Sequence, residues 1–448
     1  MPLAIIMRIY RFGRNDILET AKKLGDFYVN TVCPRFCDPT KMDEYKKAGQ
    51  FASAYVTCVY EGLEGLVNLY WITKDNRYLE TAMKMADFHE PFDTLPTGHS
   101  HGSLGQTCAL VCLYEACGKE VYLNRAIARW DEAVTQGYVH PAGGVGEHFW
   151  VKDSGDDEGC SEADWLRLSL LLWQETGLTK YLDMAERTYW NAMVPNQWPT
   201  GGFGHRTIVS DDMGYFAYTK PIAESYWCCT MHGAWVLGQM RHFLTAGNSA
   251  GVWYNFPMQY NTVVNVDGNP WLVSSRQEAG SQELVQEYIY TIELRSMVEV
   301  PYPPLHIRIP EWAKDVSVGL WRTGKPGEKI NCELRRSTVP GRNVLSIYTD
   351  ERVMGDNVPN LKYTVKFVAP PYLEDRRFHG VDLGNVKESE TNRLDGVVLR
   401  SGPFVYMNRD SGAIEDLTQE AMFEKMLPYI AMTNQTSDHA FVFNLLLK

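Results

Sequence analysis

The sequence predicts a multidomain protein, α first and then β: an (α/α) toroid of helix pairs followed by a β-sandwich region. Two patterns carry that prediction. From Asp16 to about Ala246 one helix-pair unit recurs, and after Gly251 short segments alternate apolar and polar residues between Pro and Gly. A chain of 448 residues is also too long for one small core. The boundaries read as 1–250 for the α/α barrel, 251–410 for the sandwich and 411–448 for an unassigned C-terminal tail.

The helical repeat starts at Ile17-Leu-Glu-Thr-Ala21 and returns as Tyr78-Leu-Glu-Thr-Ala82, Tyr122-Leu-Asn-Arg-Ala126 and Tyr181-Leu-Asp-Met-Ala185. The last three copies follow an apolar helix and a short turn, at Lys74-Asp75, Gly118-Lys119 and Gly177. Each unit therefore reads as helix, turn, helix, with apolar residues at helical spacing. Helix pairs at roughly 45–60-residue intervals build either an open solenoid or a closed toroid. The long, glycine-rich and polar links between units favour the toroid, whose loops gather at one mouth where a site can form. The repeat supplies about four or five pairs, short of a complete ring. A part of the barrel is therefore expected to precede Met1, and with it the question of export stays open.

Beyond Gly251, strands are expected at Asn261–Asn265, Tyr288–Leu294, Leu305–Ile309, Val344–Tyr348, Tyr363–Phe367 and Val397–Leu399. In the polar tail, Leu417–Met426 reads as a short helix.

Composition narrows the function. A formal net charge of −12 and the lack of a basic stripe exclude a nucleic-acid partner. The 13 Trp and 25 Tyr suit a carbohydrate cleft, although rings in such numbers also serve as core. Ten irregularly placed cysteines do not form a disulfide framework. Met1–Met7 is apolar but short, and Arg8, Arg11 and Arg14 follow rather than precede it, the wrong order for a signal peptide. No stretch reaches a membrane span, so a cytoplasmic location without a membrane partner is expected. The oligomeric state stays open, with a homodimer as the form entertained.

The chemistry concentrates in a few segments. Three thiols and a carboxylate, Glu158, Cys160, Cys228 and Cys229, suffice for a tetrahedral zinc site. Zinc would keep such thiols as thiolates and so supply a nucleophile at neutral pH. The same cysteines also read as buried free thiols, which is what cysteines in a reduced protein usually are. Glu147 follows the glycine-rich Gly143-Gly-Val-Gly146, and His99 and His101 open a helix, where histidines often serve only as structural hydrogen-bonders. Asp153–Glu158 is an acidic loop, which is commonly a solvated turn.

Together these segments resemble the bacterial β-L-arabinofuranosidases that use a zinc-bound cysteine as nucleophile, and their many relatives. Glu158-Gly-Cys160 resembles that family's Glu-x-Cys motif, Cys228-Cys229 its cysteine pair and Gly146-Glu147-x-Phe149 its Gly-Glu-x-Phe segment. Ala185–Asn191, Leu305–Ala313 and Val397–Tyr406 resemble further family signatures. The resemblance implies Zn²⁺ held by Glu158, Cys160, Cys228 and Cys229, with Cys228 as nucleophile and Glu147 as general acid/base. It also implies sugar contacts from His101 and, less closely matched, His99, and a carbohydrate substrate, with β-L-arabinofuranosides or related plant cell-wall sugars in the lead. The chain departs from the pattern in a shorter, Asp/Gly-rich 147–158 loop, in Thr230-Met-His232 where relatives carry prolines, and in having no histidine near Glu61–Glu64. Two alternatives remain: another α/α-toroid sugar enzyme, an epimerase or unsaturated-uronide hydrolase, working through His99, His101 and His205, and a non-catalytic carbohydrate-binding relative.

Overall fold

The computed structural model describes residues 15–41, 44, 60, 62–90, 99–140, 142–147, 149, 156–197, 201–210, 216–223, 227–278, 286–296, 298–323, 327–352, 361–379, 393–408 and 426–428. A helical N-terminal half is followed by a strand-rich region. The helices are α1 (Leu18–Phe27), α2 (Gly62–Thr73), α3 (Asn76–His89), α4 (Ser100–Cys117), α5 (Glu120–Thr135), α6 (Gly159–Thr176), α7 (Thr179–Thr188) and α8 (Trp227–Leu244).

The turns that join the pairs are built as their residues require. Asp75 caps α3 by accepting from the Arg77 amide, after Lys74 at φ 58°. Gly118 ends α4 at φ 68°, a left-handed position that glycine occupies without a Cβ penalty. Gly177 ends α6 in the same way, at φ 67°. Within each pair the two helices differ. From Ser100 to Leu113 nearly every residue of α4 is buried, and α6 is buried from Gly159 to Leu170. By contrast, α3 and α5 bury one stripe each, Tyr78, Ala82, Met85 and Ala86 in α3 and Tyr122, Ala126, Trp130 and Ala133 in α5. A helix apolar all round is interior, and one with a single apolar stripe faces solvent on its other side.

Two compact units result, both discontinuous in sequence. The first comprises residues 1–172, 196–233 and 376–396, and the second 173–195, 234–375 and 397–448. One difference from expectation lies in the first. Its helical part contains a three-stranded antiparallel sheet of β1 (Asp156–Glu158), β2 (His205–Ser210) and β3 (Phe216–Ala223). The β-branched and aromatic residues of β2 and β3 suit a strand, but Pro221 and two register shifts disturb the alternation that would have announced it.

In the second unit the order of one five-stranded sheet is β10 (Asp315–Arg322), β13 (Leu361–Ala369), β8 (Gln286–Ser296), β7 (Asn269–Glu278) and β6 (Tyr260–Val266). The other runs β11 (Glu333–Arg336), β12 (Val344–Tyr348), β9 (Leu305–Arg308), β5 (Gly251–Tyr254) and β4 (Thr245–Asn248). Pairing is antiparallel except between β5 and β9. Strand β13 alternates buried and half-buried residues along its whole length, so one face goes to the core. One hydrophobic cluster takes Tyr254, Leu305 and Ile347 from the second sheet and Trp271, Ile292, Leu294, Tyr363 and Phe367 from the first. A four-stranded sheet of β14 (Tyr372–His379), β15 (Arg393–Ser401), β16 (Phe404–Asn408) and β17 (Met426–Pro428) completes the described strands. All six expected strands fall within described strands, apart from Ile309 one residue beyond β9. The helix expected at Leu417–Met426 lies outside the described residues up to its last position, which opens β17. Among the described residues no helix is long and apolar enough to cross a membrane.

Candidate active site

Within the first unit, two helix N-termini meet. Strand β1 ends on Glu158, α6 opens on the next residue, and Cys160 falls in its first turn. Cys228 and Cys229 occupy the first turn of α8. Close approach needs the glycine between Glu158 and Cys160: a Cβ on Gly159 would stand 3.1 Å from Phe203 Cβ and 3.2 Å from Cys229 Cβ. The Gly159 amide donates to the Gly204 carbonyl at 3.0 Å. Thr230 Oγ1 accepts from the Phe203 amide and donates to its carbonyl, both at 3.1 Å, which ties the start of α8 to the same segment just before β2.

These contacts bring four donors into one dry cluster. Cys160 Sγ lies 3.7 Å from Cys228 Sγ and 3.8 Å from Cys229 Sγ, and the vicinal pair is 3.9 Å apart. Glu158 Oε1 is 3.8 Å from Cys228 Sγ, while its Oε2 accepts from Ser161 Oγ at 2.9 Å. All four residues are buried, with their ligand atoms within 4.8 Å of one another. As free acids they oppose one another. Burial pushes the Cys160 thiol well up, and both neighbouring thiols and Glu158 add to that. Cys229 is raised too: contact with Cys160 lowers it, but contact with Cys228 and burial outweigh that. A cation would reverse this balance, and the dipoles of two helix N-termini already favour negative charge here. The donor set suits a metal.

Beside the cluster stands a second group. His99 caps α4 by accepting from the Gly102 amide at Nδ1, 3.3 Å away. In the neutral ring the proton is therefore on Nε2, which faces Glu158 Oε2 at 3.6 Å and Glu147 Oε1 at 3.8 Å. Glu147 is fixed by its own carbonyl, which accepts from the Ser100 amide at 2.8 Å. Its side chain is 28% exposed against 4% for Glu158, so Glu147 is the carboxylate open to solvent.

His101 is placed differently. It is buried, with Nδ1 2.6 Å from Asp164 Oδ2 and its ring 4.4 Å from the His232 ring at 75°. Burial raises the Asp164 carboxyl, but the charge of His101 and its hydrogen bond, with His232 and Arg167, hold it below the usual range. His232 Nδ1 in turn meets the Cys228 carbonyl at 3.0 Å. His205, at the start of β2, pairs with Glu158 in the ladder. Of the acidic loop, Asp156–Glu158 forms β1, and 153–155 lie outside the described residues.

Asp164 was not singled out by sequence, and Thr230 and His232 stood out only as departures from the family pattern, not as site residues. The signal was there in the spacing: Asp164 follows Cys160, and His232 follows Cys228, by one helical turn.

A helical domain, a strand-rich region and a buried thiol–carboxylate cluster beside a solvent-facing carboxylate define a two-part fold with a metal-competent centre. The family model of the β-L-arabinofuranosidase, GH127 catalytic domain, matches residues 15–241, and the chain belongs to that family. In fold it is similar to a solved GH127 β-arabinofuranosidase, at 16% identity and TM-score 0.52, over 77% of this chain and 55% of that one. It is also similar to Ara127N-Se, a GH127 β-L-arabinofuranosidase from Geobacillus stearothermophilus T6, at 17% identity and TM-score 0.51, over 76% and 57%. A third similar structure, a glycoside hydrolase, has 14% identity and TM-score 0.58, over 90% and 68%. This chain thus spans just over half the length of the first two. No curated protein matches it in sequence.

Proposed function

We propose that this chain is a retaining glycoside hydrolase of β-L-arabinofuranosides or related plant cell-wall sugars, with a zinc-poised cysteine as nucleophile. One observation carries the proposal. Zinc–sulfur bonds of about 2.3 Å in a tetrahedron set sulfur atoms about 3.8 Å apart, and the three thiols here lie at 3.7, 3.8 and 3.9 Å. Glu158 supplies the fourth donor. When bound, zinc would hold the thiols as thiolates at neutral pH.

The residues then divide the work. Cys228 Sγ attacks the anomeric carbon as the glycosidic bond breaks, and Glu147 gives its proton to the leaving oxygen. Glu147, now a carboxylate, takes a proton from water. The resulting hydroxide equivalent breaks the C–S bond, returning the Cys228 thiolate and a sugar of retained configuration. His99, with Nε2–H toward both carboxylates, is the imidazole we place against the sugar, and His101 supports from beneath. The ring of helix pairs and the sandwich of the two five-stranded sheets belong to the same reading. The buried helices α4 and α6, the one-sided helices α3 and α5, and the core shared by both sheets support them.

Hydrolysis of an aryl β-L-arabinofuranoside by the zinc-loaded protein tests this directly. Cys228→Ser should abolish turnover, and Glu147→Gln should slow it by about 10²–10⁴-fold with metal content unchanged. Wild-type rates in Cys228→Ser would refute the thiolate mechanism. No turnover by zinc-loaded wild type on any β-L-arabinofuranoside would refute the substrate class.

A further inference from the structure

Beneath the thiol cluster lies a second set of buried polar groups, and it repeats the helical placement of the first. Asp164 follows Cys160 by four positions on α6, and His232 follows Cys228 by four on α8. His101 comes from α4. Each set therefore draws on the same two helices, four residues or about 6 Å of rise apart. We propose that His232, backed by His101 and Asp164, is a positioning residue that fixes the backbone of Cys228. The inference rests on the reading of Cys228 as nucleophile.

Two hydrogen bonds and a ring contact link these residues to Cys228. A carbonyl oxygen only accepts, so the 3.0 Å contact between His232 Nδ1 and the Cys228 carbonyl puts a proton on that nitrogen. The His101 ring stands edge-on to His232 at 4.4 Å and limits its rotation. His101 is itself held by Asp164 at 2.6 Å. All three residues are at least nine-tenths buried, at 2%, 2% and 6% exposure, so breaking any bond leaves a dry polar group unsatisfied. The Cys228 carbonyl thus has a fixed partner, and the thiol on that residue inherits a fixed start to its side chain.

A second metal centre is the competing reading of the same three side chains. Two ligands on a tetrahedral first-row metal with bonds of about 2.0–2.1 Å sit about 3.3 Å apart. The His101–Asp164 separation of 2.6 Å is a hydrogen-bond length instead.

The test is the absorption spectrum of the Co²⁺-loaded protein, whose d–d bands report geometry at the thiolates, read beside turnover of an aryl β-L-arabinofuranoside. His232→Leu should keep one metal per chain, shift the d–d bands and lower kcat about 10- to 100-fold with KM little changed. His232→Asn should restore both. The fold already contains that substitute bond: Asn191 Nδ2 donates to the Arg187 carbonyl four residues back, at 2.9 Å. Unaltered bands in His232→Leu, or equal losses in the Leu and Asn variants, would overturn the proposal, as would loss of a second metal equivalent in His232→Leu. Should His232→Leu fail to fold, Asp164→Asn replaces it, with the same shift expected in weaker form and unchanged bands overturning the relay. A wild type that takes up no cobalt would count against the metal reading itself. The relay is then read from alkylation of Cys228 by iodoacetamide, at a changed rate in the variant; equal rates overturn it.

Discussion

Both units of this molecule bury charge-capable side chains, and they do so in opposite ways. In the second unit, Arg308 bonds Asp183 at 2.5 Å and Glu186 at 2.8 Å, while Arg187 and Arg400 hold Glu311 at 3.0 and 2.6 Å. Trp312 Nε1 adds a donor to Glu186 at 2.8 Å. Three guanidiniums thus face three carboxylates, so opposite charges are paired within the fold. The effect of this lattice differs by site. Desolvation would raise the half-exposed Glu311 carboxyl, but Arg187 and Arg400 bring it down to about 2. Burial, with Glu311 and Glu186 nearby, raises Asp183 to about 7 against the pull of Arg308. In the first unit the groups that most affect Cys160 and Cys229 are other thiols and Glu158, all of them acids. A buried lattice with its own counter-ions is architecture. A buried cluster of acids is a receptor for a cation that the chain does not supply.

The largest effect that would break this contrast is metal removal. Apparent binding free energies at structural zinc–thiolate sites are on the order of 10 kcal/mol. Chelation should therefore lower the thermal transition of wild type sharply, read by calorimetry with and without chelator. A transition indifferent to chelator would place the thiols with the ordinary core.

Next comes the lattice. Arg308→Leu leaves Asp183 and Glu186 buried without their cation, which should cost about 3–5 kcal/mol in urea unfolding. Replacing all three by apolar or neutral residues should cost far less, because the penalty lies in the unpaired charge. Equal costs would show that packing, and not charge balance, holds this region.

A third solution, burial of a group kept neutral, has an effect that is smallest over any one pH unit. Burial alone holds His140 down to about 3, and burial with the charges of Arg129 and Arg125 does the same to His89. Below the ordinary 6.5 the unfolded chain binds protons that the folded chain refuses. This contribution is whole above pH 6.5 and is lost as the pH falls toward about 3, at about 1.4 kcal/mol per pH unit for each ring. His140→Leu should reduce the slope of stability against pH between those limits, measured as unfolding midpoints. An unchanged slope would contradict it.

Sequence disclosed these regions unequally, for physical reasons. The strands of the second unit were legible because one-sided burial writes a period of two into them, as in Leu361–Ala369. Helix pairs were legible through Gly118 and Gly177, where a left-handed turn leaves few residue choices. Glu158, Cys160, Cys228 and Cys229 stood out because their chemistry is uncommon, whatever their separation along the chain. The supporting residues did not stand out as site residues. Asp164 and His232 look like any polar residue inside a helix until α4, α6 and α8 are brought together. The orientations of His99 and His101 depend on which of them caps α4, a backbone matter that composition does not encode. The hairpin of β2 and β3 was missed because Pro221 and irregular register blur its alternation.

The most direct test of the central claim is metal content by elemental mass spectrometry, on wild type and Cys160→Ser purified without chelator. About one zinc per chain is expected, lost in the variant. A wild type free of metal, or a variant that keeps its full complement, would contradict it.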